Sequence, residues 1–191
     1  MRDAEPWIAT RSGLKFHPFN PSPDEICLED IAGALSKICR YTGHAQRFYS
    51  VAEHSLRVLS YVTVACLDSN LSQRDQLGLM RHALLHDASE AYLCDLSAPI
   101  KGASQMTGYR VAEMHIEAAI AERFGLRWEM PPIVRVADQV LLASEWPDLM
   151  PRTPTPDGFP DPQPRFMDGP ALSPREAESQ FLERAWALGL S

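Results

Sequence analysis

The sequence predicts an all-α fold, and three observations carry that prediction. Apolar residues recur with helical spacing along most of the 191 residues, no segment alternates convincingly between apolar and polar side chains, and helix-start signals precede several apolar stretches. Hydrophobic residues make up 45% of the chain and charged residues 23%, which is ordinary for a globular domain. We therefore expect a single domain over residues 1–191, with five or six helices around one core.

Amphipathic stretches define the expected helices in the first three quarters of the chain. Ser50 and Glu53 form the pattern of a capping box at the start of the second helix. Gly125 suits the C-terminal end of the fourth, and Pro131 and Pro132 suit the start of the fifth. The five expected helices cover about 29–39, 50–67, 72–92, 107–124 and 131–145.

Residues 147–174 differ from the rest of the chain because they contain nine of its 16 prolines. Such a density excludes regular helix or sheet. Ser173 and Glu176 then form a second capping box, which predicts a last helix over about 174–188. We interpret the proline-rich stretch as a loop inserted over a compact body, ahead of that helix.

Charge and composition exclude some classes of function. Lys and Arg number 18 and Asp and Glu 25, so the net charge is −7, which disfavours a nucleic-acid binder. A small polyphosphate remains compatible, since a metal ion can supply local positive charge. The four cysteines match no metal or redox spacing, which is typical of free thiols in a reducing compartment. Without an apolar run suited to a signal peptide or a membrane span, the expected location is cytoplasmic, with no membrane partner.

Several titratable residues stand where apolar residues are expected. Asp138 lies within a Val- and Leu-rich helix, His86 and Asp87 follow two leucines, and His54 follows the first capping box. Each alone is more often an ordinary surface or core residue. Together, two imidazoles and two carboxylates on successive helices suit a divalent transition metal ion, which promotes hydrolysis at phosphorus. His82 lies one turn before His86 but lacks a zinc-binding pattern, so we do not expect it to be a ligand.

The order of these residues resembles that of the HD-domain metal phosphohydrolases. The strings SVAEHS at 50–55, LLHDASEAY at 84–92, DLSAPIK at 95–101 and AD at 137–138 look like the bacterial 5′-deoxynucleotidases. The run over 31–49 looks more like their phage relatives, the dATP triphosphohydrolases.

The resemblance implies a helical bundle around a central metal site, and it assigns roles to individual residues. It implies a divalent transition metal (Co, Mn, Zn, Ni or Fe) and further divalent ions on the phosphates. It also implies a small deoxynucleotide as partner, no nucleic acid, and assembly as a homo-oligomer. Arg47 and Phe48 are the alternative to Arg40 and Tyr41 as the arginine and aromatic pair that contacts the substrate. The implied residues are His54, His86, Asp87 and Asp138 for the metal, Glu90 and Asp95 for catalysis, and Arg40, Tyr41 and Lys101 for the substrate.

Two reactions fit this resemblance. One converts a deoxynucleoside triphosphate, dATP above others, into deoxynucleoside and triphosphate; the other removes phosphate from a deoxynucleoside monophosphate. Both break the bond between the α-phosphorus and the 5′ oxygen, and we favour the first, which in a phage-encoded protein would act in the host cytoplasm. Lys101, Arg110 and Arg135 are the candidate contacts to distant phosphates. A non-catalytic nucleotide-binding protein is the remote alternative, because all the implied ligands and acids are present.

Overall fold

The computed structural model describes residues 5–191, and the regular secondary structure within that range is almost entirely helical. The predicted all-α class is therefore confirmed. No helix among the described residues is long and apolar enough to cross a membrane. The helices are α1 Leu28–Leu35, α2 Val51–Leu67, α3 Gln73–Leu85, α4 Glu90–Leu93, α5 Ala98–Lys101, α6 Thr107–Phe124, α7 Pro132–Leu149 and α8 Pro174–Ala187.

Helix α2 is the centre of the packing. It lies against α3 and α7, and it also contacts α8, while α1 packs on α8 and α4. Val51, Val58 and Val62, which the periodicity places on the inner face of α2, are fully buried. The side chains of α2 between these core positions are thereby brought close to α3 and α7.

A short hairpin precedes the helices. Strand β1, Ile8–Ala9, pairs antiparallel with β2, Lys15–Phe16. Two-residue strands are too short to show an alternating pattern, which is why the sequence analysis found none. Phe16 is fully buried and stacks on Tyr92, with ring centroids 3.9 Å apart. The hairpin thus closes one end of the core.

The helix predicted over 72–92 is wrong as a single element. Helix α3 ends at Leu85, and residues 86–89 form tight turns before α4 begins at Glu90. The amides of Ala88 and Glu90 bond to carbonyls three residues back, at Leu85 and Asp87, so the backbone is wound more tightly than an α-helix. Apolar periodicity continues through the break, so spacing alone does not reveal it.

Two further boundaries differ from those predicted. Helix α1 ends at Leu35 rather than near Cys39. Helix α7 continues past Glu145 to Leu149 and contains Pro147 in its last turn. A proline there removes one hydrogen bond near the end of the helix, where little of the ladder remains to be lost.

The proline-rich segment was predicted over 147–174 to have no regular helix or sheet. The structure agrees for residues 150–173, which have no long regular element, whereas residues 147–149 belong to α7 and Pro174 begins α8. Polar groups of α2 and α7 hold this segment in place. The Arg57 guanidinium donates to the Phe166 carbonyl at 2.6 Å, the Leu172 amide to Glu53 Oε2 at 3.2 Å, and the Gln163 amide to Ser144 Oγ at 2.7 Å.

Of the two predicted capping boxes, one is complete. Ser173 and Glu176 make both reciprocal bonds at the start of α8. Ser50 Oγ accepts from the Glu53 amide, but the Glu53 carboxylate bonds to Arg57 instead of reaching back. The capping box predicted at Ser50 is therefore confirmed for the bond to the Ser50 hydroxyl and wrong for the bond from the Glu53 carboxylate.

Candidate metal centre

Three of the four predicted metal ligands lie together where α2 meets the end of α3. His54 Nε2 lies 3.9 Å from Asp87 Oδ2, and His86 Nε2 lies 3.1 Å from the same oxygen. One ligand atom from each of the three falls within 4.8 Å of the others. His86 and Asp87 lie in the tight turns that follow Leu85, where amides bond to carbonyls three residues back.

Asp138 reaches the same place from α7. Its Oδ1 lies 3.1 Å from His54 Nε2 and 4.0 Å from His86 Nε2. The Asp138 side chain has a relative solvent accessibility of 38%, so it lies on the solvent-facing side of the cluster. Packing of α7 along α2 thus unites residues that stand 84 positions apart in the sequence.

Hydrogen bonds on the far side of each imidazole direct its second nitrogen into the site. His86 Nδ1 donates to the Ala83 carbonyl at 2.9 Å. Its Nε2 is buried and finds no hydrogen-bond partner of good geometry among residues 5–191. His54 Nδ1 donates to Glu145 Oε1 at 2.5 Å. Two directed nitrogen lone pairs beside two carboxylates fit a divalent transition metal ion.

Glu145 is the residue that the sequence analysis missed. It is completely buried, and its carboxylate accepts bonds from His54 Nδ1, from the Tyr49 hydroxyl at 2.8 Å and from the Tyr41 hydroxyl at 2.7 Å. Burial opposes its ionisation, but the charges of His54 and Arg40 lower the pKa of Glu145 to about 2. The available signal was its spacing: seven residues after Asp138, it lies on the same face of α7.

The two predicted catalytic acids have perturbed pKa values. Burial, together with the charges of Asp87 and Asp95, raises the pKa of Glu90 well above its ordinary value. Burial and the charge of Asp87 also raise the pKa of Asp95, although Arg40 opposes this. Glu90 Oε2 is buried and has no hydrogen-bond partner within the described part of the chain. These acids therefore belong to the same electrostatic cluster as Asp87.

Arg40 and Tyr41 lie at the edge of this cluster. One Arg40 nitrogen lies 3.5 Å from Asp87 Oδ2, and its Nε lies 3.5 Å from Glu145 Oε2. The alternative pair is placed elsewhere: Arg47 binds Asp148 at 3.2 Å, and Phe48 is exposed. Of the two predicted pairs, the structure brings the first to the cluster.

The three cations proposed for distant phosphates are placed differently. Lys101 Nζ lies 2.5 Å from Glu113 Oε1, and this bond raises the pKa of Lys101 against the effect of burial. Arg110 donates to the carbonyls of Lys101 and Ala103, at 2.7 and 2.8 Å. Arg135 lies on the exposed surface of α7. Lys101 thus has an acidic partner, and Arg110 supports the backbone after α5.

Comparison with known proteins agrees with this geometry. Residues 32–122 match the family model of the HD domain, a span that includes His54, His86 and Asp87. The uncharacterized protein YfdR of Escherichia coli K12 is 39% identical over 143 residues, which cover 75% of this chain and 72% of the relative. The uncharacterized protein RCAP_rcc00048 of Rhodobacter capsulatus is 36% identical over 140 residues, which cover 70% of this chain and 68% of the relative.

The chain therefore belongs to the HD-domain family. Members of this family are generally hydrolases that bind divalent metals, and the His and Asp cluster is the feature that such chemistry needs. The class indicated by fold and site is a metal-dependent phosphohydrolase.

Proposed function

We propose that this protein hydrolyses the 5′ phosphoester of a deoxynucleotide, with dATP converted to deoxyadenosine and triphosphate. The observation that carries the proposal is the convergence of two directed imidazole nitrogens and two carboxylates beside a buried, unpartnered acid. His54, His86, Asp87 and Asp138 would hold the ion. A divalent ion held there would polarise phosphoryl oxygens and lower the pKa of water, so that hydroxide is available to attack phosphorus at neutral pH.

The protein groups around this site have distinct tasks in the proposed reaction. Arg40 contacts an oxygen of the α-phosphate, because its guanidinium borders the cluster and suits planar oxyanions. Glu90 Oε2 exchanges a proton with the reacting groups, since it is buried, lacks a partner among the described residues and has a raised pKa. The bond from phosphorus to the 5′ oxygen breaks, water supplies the new oxygen on phosphorus, and a proton passes to the 5′ oxygen.

Support for a triphosphate comes from the resemblance of residues 31–49 to the phage triphosphohydrolases. A specific observation favours a second candidate, the deoxynucleoside monophosphate. Lys101 is paired with Glu113 and Arg110 with backbone carbonyls, so two of the candidate contacts to distant phosphates are already engaged. For Lys101 to bind a distant phosphate of a triphosphate, its ammonium group would have to leave Glu113.

Product analysis tests the proposal. The purified protein is incubated with Co²⁺ or Mn²⁺ and either dATP, dAMP or ATP, and the phosphate products are separated. We expect deoxyadenosine and triphosphate from dATP; deoxyadenosine and orthophosphate from dAMP alone would establish the second candidate. Release of pyrophosphate with dAMP, or no hydrolysis of any deoxynucleotide, would refute both.

A further inference from the structure

We infer that Glu145 is a positioning residue that fixes His54 for metal binding and anchors the turn that carries Arg40. The inference rests on the proposed function, since it assumes that His54 binds the ion. Glu145 is fully buried on α7, whereas its partners are His54 on α2, Tyr49 just ahead of α2, and the turn at Arg40–Gly43. It therefore joins two parts of the site that the chain leaves separate.

The first step concerns the proton on His54. Both Glu145 oxygens accept from tyrosine hydroxyls, so neither oxygen carries the proton shared with His54. The 2.5 Å contact between His54 Nδ1 and Glu145 Oε1 therefore requires the proton on Nδ1. A histidine binds a metal ion as the neutral imidazole, and with the proton on Nδ1 the lone pair for the ion is on Nε2, 3.1 Å from Asp138 Oδ1. This is the tautomer that a metal ligand needs.

The second step is that Glu145 is unsuited to be a ligand itself. Its Oε1 accepts from both His54 and the Tyr49 hydroxyl, and its Oε2 accepts from the Tyr41 hydroxyl beside Arg40 Nε. Both oxygens are committed to protein donors. The residue therefore acts through His54 rather than on the ion.

The third step concerns the turn at Arg40–Gly43. Tyr41 and Thr42 have φ values of 57° and 52°, in the left-handed region that side chains with a Cβ atom seldom adopt. The bond from the Tyr41 hydroxyl to Glu145 Oε2 holds this unfavourable turn against α7. Arg40 precedes the turn and contacts Asp87 and Glu145. Loss of Glu145 would thus disturb the ligand and the substrate contact together.

The test measures Co²⁺ affinity in the absence of nucleotide, by titrating the metal-free protein and following Co²⁺ absorption. We expect Glu145→Gln to weaken binding about 10- to 100-fold, the range for carboxylates that orient a ligating histidine. Tyr41→Phe should leave the affinity within about 2-fold and raise KM roughly 2- to 10-fold, since it removes one bond to the turn. Asp30→Asn is the matched control: Asp30 is buried and binds Ser12, away from the cluster.

Wild-type affinity in Glu145→Gln would overturn the inference. If Glu145→Gln does not fold, Tyr49→Phe provides the test, because it removes one hydrogen-bond donor to Glu145 Oε1. Tyr49→Phe should weaken Co²⁺ binding roughly 2- to 10-fold. Unchanged Co²⁺ affinity in that variant would also overturn the inference. A wild-type protein that binds Co²⁺ but hydrolyses no deoxynucleotide would refute the proposed function, while the affinity comparison still tests Glu145. A wild type without Co²⁺ binding would refute both.

Discussion

Two buried carboxylates next to His54 are used in opposite ways. Glu53, one residue before it on α2, keeps 1% of its exposure, and its two oxygens accept from Arg57 and from the Leu172 amide. Glu145, on the other side of His54, accepts from its Nδ1 at the edge of the metal-ligand cluster. Two buried atoms of that cluster, His86 Nε2 and Glu90 Oε2, make no hydrogen bond within residues 5–191, although His86 Nε2 lies 3.1 Å from Asp87 Oδ2. The Glu53 contacts hold the proline-rich segment, whereas the Glu145 contact orients a predicted metal ligand.

The difference teaches that buried charge alone does not mark a functional site. Buried polar groups are normally satisfied by protein or water, and the Glu53 carboxylate follows that rule. The cluster around His54 departs from it at His86 Nε2 and Glu90 Oε2, which are buried and make no hydrogen bond within residues 5–191. The comparison therefore predicts that variants on the Glu145 side affect metal binding and turnover, whereas variants on the Glu53 side affect stability.

The largest expected effect comes from His86→Ala. Removing one nitrogen leaves three ligands, so the protein should lose its bound metal and more than about 10³-fold in kcat/KM, because metal chemistry contributes several kcal/mol to such reactions. Metal content by elemental analysis and hydrolysis of dATP are measured together. His82→Ala, one turn earlier on α3, is the control and should retain metal; an active, metal-replete His86→Ala would contradict the assignment.

Glu90→Gln should lower kcat about 10²- to 10⁴-fold while leaving the metal in place, since the amide cannot exchange a proton. The measurement is kcat together with metal stoichiometry. Glu183→Gln, on the exposed part of α8, serves as a matched control. Full turnover by Glu90→Gln would move the role to Asp95, the other acid whose pKa is raised at the site.

Lys101→Ala should distinguish the two substrates. We expect kcat/KM for dATP to fall roughly 10-fold and that for dAMP to fall less than about 3-fold, since a distant phosphate loses one charged contact. Arg40→Ala, beside Asp87, should reduce both. Lys37→Ala is the control, because Lys37 pairs with Glu178. Equal losses after Lys101→Ala would favour the monophosphate as substrate.

The smallest effect on turnover is expected from Arg57→Ala. This change removes the nearer of two guanidinium groups beside the buried Glu53, leaving Arg47 at 3.7 Å, and it frees the Phe166 carbonyl. The free energy of unfolding should fall by about 3 kcal/mol, while Co²⁺ affinity changes less than about 3-fold. Chemical denaturation and metal titration measure the two quantities, with exposed Arg74→Ala as control. A large loss of metal affinity would show that the two sides of α2 are not independent.

Much of the fold followed from the sequence because local signals were strong. The span of α6 and the cap of α8 depend on periodicity, Gly125, Ser173 and Pro174, all of which act within a few residues. The break after Leu85 was missed because apolar spacing continues through it. The break lies within the candidate site, because His86 and Asp87 belong to the turns that follow Leu85.

The candidate site was predictable as a set of residue types and less so as a network. The spacing of His54, His86 and Asp138 indicated the cluster, whose metal binding stays a prediction. Glu145 is marked in the sequence only by its spacing, seven residues after Asp138 on the same helix. The hydrogen bond from Arg57 to the Phe166 carbonyl joins residues 109 positions apart, and no local sequence pattern predicts it. It results from packing of the whole chain.

The most direct test of the central claim is the location of the metal in crystals of the Co²⁺- or Zn²⁺-loaded protein, by anomalous scattering at the absorption edge. The account predicts one strong peak about 2.0–2.2 Å from His54 Nε2, His86 Nε2 and an oxygen of each of Asp87 and Asp138. Glu145 should remain outside that distance, bonded to His54 Nδ1. A peak coordinated by Glu145 or His82, or one away from these four residues, would contradict the account.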